Sequence, residues 1–246
     1  MFMAVSGPRV EAGASIAAQN HMPGRARRSP VACPPMNLIY VADPMCSWCY
    51  GFAKPLDELL AQPGTAAPLQ LALVMGGLRP FTTDPMTPAR ADELLGHWHH
   101  VAEASGQPFA PAPHGALHAE GFVYDTEPAS RATVTVRTHW PKLVWRYLKA
   151  VQHAFYAEGR NVTQPEVLAD VAQALGIPRA DFARAFASQE MRDATLADFA
   201  QSQGWGLRGF PALIAEHGDH LHLVGQGFMP IAALRESLES VRTAHH

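Results

Sequence analysis

Cys46-Ser47-Trp48-Cys49 sets two thiols three positions apart, inside the stretch Asp43-Pro44-Met45-Cys46-Ser47-Trp48-Cys49-Tyr50-Gly51. Such a pair can cycle between dithiol and disulfide. One thiolate attacks a substrate disulfide, and the second releases the mixed disulfide. A structural zinc site would need four ligands. Only Cys33 remains as a further thiol, and His97, His99, His100, His114 and His118 offer no matching pair beside a fitting Cys. The spacing therefore points to a redox centre and not to a metal site.

The flanking residues say how the pair is held. Leu38-Ile39-Tyr40-Val41 reads as a buried strand, and Phe52, Leu56, Leu59 and Leu60 follow at the spacing of one helix face. Cys46 then stands at a helix N-terminus. Free N–H groups and the helix dipole favour negative charge there, so Cys46 should ionise more readily than a free thiol. Cys49, one turn further in, can attack a mixed disulfide on Cys46. Trp48 reads as a rim residue shaping substrate access, and Tyr50 and Phe52 as first-turn packing. Asp43 reads first as a helix cap and second as a proton acceptor for Cys49. The cluster His97-Trp98-His99-His100 reads as a solvated face, because consecutive helix positions point apart.

A second strand at 69–75 ends in Gly76-Gly77, which makes a βαβ unit with parallel pairing. Residues 81–188 read as all-helical. Helices are expected at 91–104, from Pro141, from Pro165 behind a Thr163-Gln164-Pro165-Glu166 capping box, and at 179–187. Residues 130–138 fit strand and helix alike. A helix at 189–203 leads to strands at 212–215 and 221–224 around a His217-Gly218-Asp219-His220 turn, and a last helix starts at Pro230. The order β-α-β, helical insertion, α-β-β-α is that of an α/β thioredoxin-like fold. Residues 36–80 and 189–246 would form the thioredoxin-like domain and 81–188 the insertion domain. In such a layout the loop Gly209-Phe210-Pro211 carries a cis proline facing the cysteines. The Phe210 backbone would then be open to an extended substrate, which makes Trp48, Phe210 and Pro211 substrate-binding candidates.

Residues 1–35 lack periodicity and a continuous apolar core, and read as a disordered tail rather than an export signal. Cytoplasmic localisation is the expectation. Met36 is a second candidate start, a reading that detection of the longer form by intact mass would reject. A net charge of −3 and 17% charged residues give no footing for nucleic acid, and no apolar run reaches membrane-spanning length.

Asp-Pro-Met-Cys-Ser-Trp-Cys-Tyr-Gly, the helical insertion and Gly-Phe-Pro before a terminal hairpin resemble the DsbA-like thioredoxin superfamily, in particular its cytoplasmic FrnE-like branch of thiol–disulfide oxidoreductases. Thr126 to Ser130 and Ala154 to Thr163 also resemble that branch's insertion. The resemblance implies Cys46 as attacking thiol, Cys49 as resolving thiol and Pro211 as the cis proline. It also implies protein or small-molecule disulfides as substrates and no bound cofactor, with glutathione as a candidate redox partner. Ser47-Trp48 replaces the Pro-His of periplasmic members. A histidine there can stabilise a thiolate, so a milder oxidoreductase or a reductase is implied. Related glutathione-dependent hydroxychromene-carboxylate isomerases and kappa-class transferases typically have serine at the nucleophile and no resolving Cys, which makes them the alternative. A non-catalytic binding or chaperone role for the insertion is the third reading.

Overall fold

The computed structural model describes residues 37–61, 69–207, 209–217 and 220–243. The expected tail 1–35, with Cys33, and the turn centre Gly218-Asp219 lie outside them. β1 (Asn37–Ala42) is buried on both faces. Leu38, Tyr40 and Ala42 join the main core, while Ile39 and Val41 meet a smaller cluster with Val74, Ala212 and Ile214. Burial on both faces explains why the strand reads as a continuous apolar run.

β2 (Gln70–Met75) pairs parallel with β1 after the crossover helix α1 (Ser47–Leu60). β3 (Ala212–His217) pairs antiparallel with β1, and β4 (His220–Gln226) antiparallel with β3, giving the order β2-β1-β3-β4. Between β2 and β3 lie α2 (Pro88–Ser105), α3 (Glu127–His139), α4 (Val144–Tyr156), α5 (Pro165–Ala174), α6 (Arg179–Phe186) and α7 (Gln189–Gly204). The chain closes with α8 (Ile231–Thr243), anchored by Leu234 and Leu238. This is the expected thioredoxin-like order with helices inserted.

The ambiguous stretch 130–138 is helix α3. Residues Ala129 to Val136 are all buried, so neither period shows in the sequence. The β-branched residues are accommodated by bonding back one turn: Thr133 donates to Ala129 O, Thr135 to Arg131 O and Thr138 to Val134 O. The expected capping box does not form. Thr163 gives both its N–H and its hydroxyl to Asn161 Oδ1, and Gln164 stands at the N-cap of α5 with no side-chain cap. Pro141 opens a short 3-10 turn, Pro141–Leu143, and α4 follows it.

β2 is an edge strand, and the inserted helices close its free side. Asp198 of α7 accepts the Met75 N–H at 2.8 Å, and Arg137 of α3 donates to Leu73 O at 2.6 Å. The two side chains also pair with each other at 2.6 and 2.9 Å. One ion pair thus occupies two of the backbone groups, Met75 N–H and Leu73 O, that an open edge would present to another chain.

Candidate active site

The end of β1 delivers the chain into a tight turn. Asp43 is fully buried, and its Oδ1 accepts the Met45 N–H at 2.8 Å while its backbone O accepts the Cys46 N–H at 3.1 Å. Cys46 is the N-cap of α1, with an extended backbone (φ −96°, ψ 115°) and no side-chain cap. The first N–H groups of α1, next to the nucleophile, are therefore not taken by a side-chain cap. Cys49 lies one turn deeper and is fully buried, whereas Cys46 is 6% exposed. Both thiols are free.

Across from Cys46 runs the loop before β3. The Phe210–Pro211 peptide is cis, and Cys46 Sγ donates to Phe210 O at 3.6 Å. The Phe210 ring lies over Gly76, where a Cβ would overlap it. The Pro211 carbonyl accepts the Gly227 N–H at 2.7 Å, tying this loop to the end of β4. Trp48 is half-buried on the rim, edge-on to His97 at 5.8 Å and tilted against Phe228 at 5.6 Å. Cys46, Cys49, Trp48, Phe210 and Pro211 thus frame one site.

Below the cysteines the site is buried and closely hydrogen-bonded. Tyr40 donates to Cys49 O at 3.2 Å, and Tyr124 donates to Met45 O at 2.6 Å. Tyr50 donates to Pro108 O and stacks on Tyr156 at 5.1 Å. Burial first, then hydrogen bonding and charge at Cys46, pushes the Cys49 thiol well above its ordinary value. Burial likewise raises Tyr40, Tyr124 and Tyr156.

Asp43 differs from the expected helix cap. Its second oxygen accepts the Leu78 N–H at 2.8 Å, and the Thr126 hydroxyl also hydrogen-bonds the carboxyl. One side chain therefore joins the nucleophile turn, the exit of β2 and the start of α3. Burial pushes its pKa up to about 6, against the lowering effect of these donors.

Among the described residues no group of three His, Cys, Asp or Glu could hold a metal ion. The histidines of the expected solvated face, His97, His99 and His100, are exposed, while Trp98 among them is buried. His97 rests on Trp48 and His99 sits 3.3 Å from Glu103. His114, outside that face, is buried and bonds Phe155 O at 2.7 Å. Glu127 is buried and paired with Arg131 at 2.7 Å. Sequence reasoning missed Leu78, Tyr124 and Thr126 as supports of the turn. Only the Gly76-Gly77 pair hinted that the chain passes close behind the site.

The family profile of the DSBA-like thioredoxin domain matches residues 37–239. Comparison with curated proteins gives no match. A solved structure from Nitrosomonas europaea, provisionally assigned as a protein disulfide isomerase, is 39% identical with a TM-score of 0.77, covering 86% of this chain and 100% of its own. The cytosolic disulfide reductase DsbM from Pseudomonas aeruginosa is 25% identical with a TM-score of 0.69, over 84% of this chain and 99% of its own, and its structure with GSH matches as well. A 2-hydroxychromene-2-carboxylate isomerase, 16% identical with a TM-score of 0.55 over 85% of this chain and 94% of its own, shares the fold alone.

Proposed function

This chain belongs to the DsbA-like thioredoxin family of thiol–disulfide oxidoreductases, and we propose that it is a cytoplasmic member that reduces disulfides through Cys46 and Cys49. The observation that carries the reading is Cys46 at the N-cap of α1, facing Phe210 O, with Cys49 one turn behind it. In the first step the Cys46 thiolate attacks one sulfur of a substrate disulfide, forming the mixed disulfide and expelling the other substrate sulfur as thiolate. Cys49 then gives up its proton and attacks Cys46 Sγ. The Cys46–Cys49 disulfide forms, and the substrate leaves with two electrons and, once protonated, two thiols. Two glutathione thiols return the pair to the dithiol, becoming oxidised glutathione.

Trp48, Phe210 and Pro211 line the approach, with the substrate backbone set against that of Phe210. The similarity to a cytosolic reductase supports both compartment and direction. A glutathione-dependent isomerase of the hydroxychromene-carboxylate or kappa-class type would have no use for Cys49.

Equilibration in glutathione buffers, read by intact mass, tests the proposal. A single dithiol-to-disulfide transition is expected, with a midpoint at or below the glutathione poise of about −220 to −260 mV. Stable accumulation of glutathione on Cys46, with no internal disulfide, refutes it in favour of the isomerase or transferase chemistry.

A further inference from the structure

On the core-facing side of β1, Leu38, Tyr40 and Ala42 follow one another, and Tyr40 pairs across the sheet with Leu73 and Leu213. Tyr40 alone among these carries a polar side-chain atom. It is fully buried, and a phenylalanine would fill nearly the same volume, so the hydroxyl is the feature to account for. A buried hydroxyl needs a partner. It finds one in Cys49: the Tyr40 O–H donates to Cys49 O at 3.2 Å, and the same hydroxyl is hydrogen-bonded to the Cys49 side chain. The neighbouring tyrosines are used otherwise. Tyr124 donates to Met45 O and meets the Tyr156 hydroxyl at 3.5 Å, and Tyr50 donates to Pro108 O.

The Tyr40 ring is held from two sides. Phe52 lies 5.8 Å away, and Trp145 meets the ring edge-on at 5.8 Å. Trp145 is itself fixed by its Nε1–H, which donates to Asp57 Oδ1 at 2.7 Å, and Lys149 bonds the same carboxylate at 2.6 Å. Cys49 needs a donor at one moment. To resolve a mixed disulfide it must lose its proton while fully buried, where an unpaired anion is costly. Asp43 gives the sulfur a backbone hydrogen bond, but its carboxylate opposes the charge. Ser47 and Trp48, between the cysteines, bring no cation.

We propose that Tyr40 is a catalytic residue of the resolving step, its hydroxyl donating a hydrogen bond to the Cys49 sulfur as the thiolate forms. The inference rests on the oxidoreductase reading and adds a working part to it. In the resting dithiol the single O–H hydrogen points to Cys49 O. When Cys49 loses its proton, rotation about the phenol C–O bond turns that hydrogen to the sulfur. Cys49 then attacks Cys46 Sγ, the bond from Cys46 to the substrate sulfur breaks, and the expelled sulfur takes up the proton that Cys49 released. Tyr40 keeps its own proton throughout, because burial holds the phenol well above its ordinary pKa. One neutral donor eases the step without making the thiolate the resting form, and Cys49 stays well above its ordinary value.

Tyr40→Phe removes the hydroxyl and keeps the ring. All proteins compared carry Cys33→Ser, so that this thiol takes no adduct. Reduced protein is mixed with oxidised glutathione, quenched with acid at intervals and read by intact mass, which separates dithiol, mixed disulfide and internal disulfide. In Tyr40→Phe the mixed disulfide should form at the wild-type rate and decay about 10- to 100-fold more slowly, the worth of a hydrogen bond to a charged group. Tyr147→Phe removes another buried hydroxyl, the donor to Leu168 O at 3.1 Å, and should leave both steps unchanged.

An unchanged decay in Tyr40→Phe, or equal slowing of both steps, overturns the proposal. So does Tyr147→Phe if it slows the decay as much, since general loosening would then be the cause. Should Tyr40→Phe not fold, 3-fluorotyrosine at position 40 decides: this more acidic phenol, of nearly the same size, should quicken the decay and leave the first step alone, and an unchanged decay overturns the proposal. Failure of the wild type to form the internal disulfide sinks the oxidoreductase reading itself, and is seen before any variant is compared.

Discussion

Replacing Asp43 by Asn should flatten one component of the pH dependence of stability. The carboxyl is fully buried, and its pKa rises from 3.8 to about 6, with burial as the leading cause. The folded state therefore holds this proton more tightly than the unfolded chain. The stability it contributes is fully present below pH 3.8 and is lost as pH rises through about 6. At about 1.4 kcal/mol per pH unit, the loss is about 3 kcal/mol.

Asn cannot titrate, but its amide NH2 would face either the Met45 or the Leu78 N–H, now without an acceptor. That costs about 1–3 kcal/mol. The variant should be less stable than the wild type by this amount at about pH 4, and equal or up to about 2 kcal/mol more stable at about pH 7.5. Urea unfolding of the reduced protein at both pH values gives the difference between variant and wild type. All other titrating groups cancel in that comparison, leaving a change of about 3 kcal/mol. Parallel pH profiles for the two proteins would refute the assignment of a raised pKa to this buried carboxyl.

The Cys49→Ser variant should accumulate a glutathione mixed disulfide on Cys46, whereas Cys46→Ser should form none; intact mass separates the two, and equal adducts on both would reverse the assigned roles. Trp48→His places an imidazole in the first turn of α1, between the cysteines. The glutathione-buffer midpoint should rise by about 30 mV or more, and an unchanged or lower midpoint would count against thiolate stabilisation as the controlling factor. Asp198→Ala strips Arg137 of its partner and the Met75 N–H of its acceptor at the edge of β2. A loss of about 3 kcal/mol in urea unfolding is expected, and a loss below about 1 kcal/mol would mean that the edge is satisfied without it.

The parts of this site that depend on neighbours in sequence were legible in it. The apolar run of β1, the two thiols at a strand-to-helix junction and the Gly-Phe-Pro loop are local patterns, and the structure places them as read. What holds them is not local. Asp43 is bonded by Leu78, 35 positions away, and by Thr126 in the insertion, and nothing in either residue type announces that use. Helix α3 was ambiguous because a segment buried on all sides carries no amphipathic period. The capping box is absent because the helix begins one residue later, with Gln164 at the N-cap, and Asn161 takes the Thr163 N–H and hydroxyl. Phe81 has φ 62°, a positive value for which its residue type has no propensity. Its conformation is set by Asp125 across the turn, so sequence reasoning had no means of finding it.

The direction of exchange follows from which form of the pair the site favours. A dithiol becomes a strong oxidant when its surroundings stabilise the reduced form, chiefly through a thiolate. Here no cation stands between the cysteines, since Ser47 and Trp48 occupy those positions. Burial opposes an anion on Cys49, and the Asp43 carboxylate opposes it further. Each of these features withholds stabilisation from a thiolate at the pair, and none requires a particular substrate. On the reductase reading proposed above, they favour giving electrons to a disulfide over taking them from a dithiol.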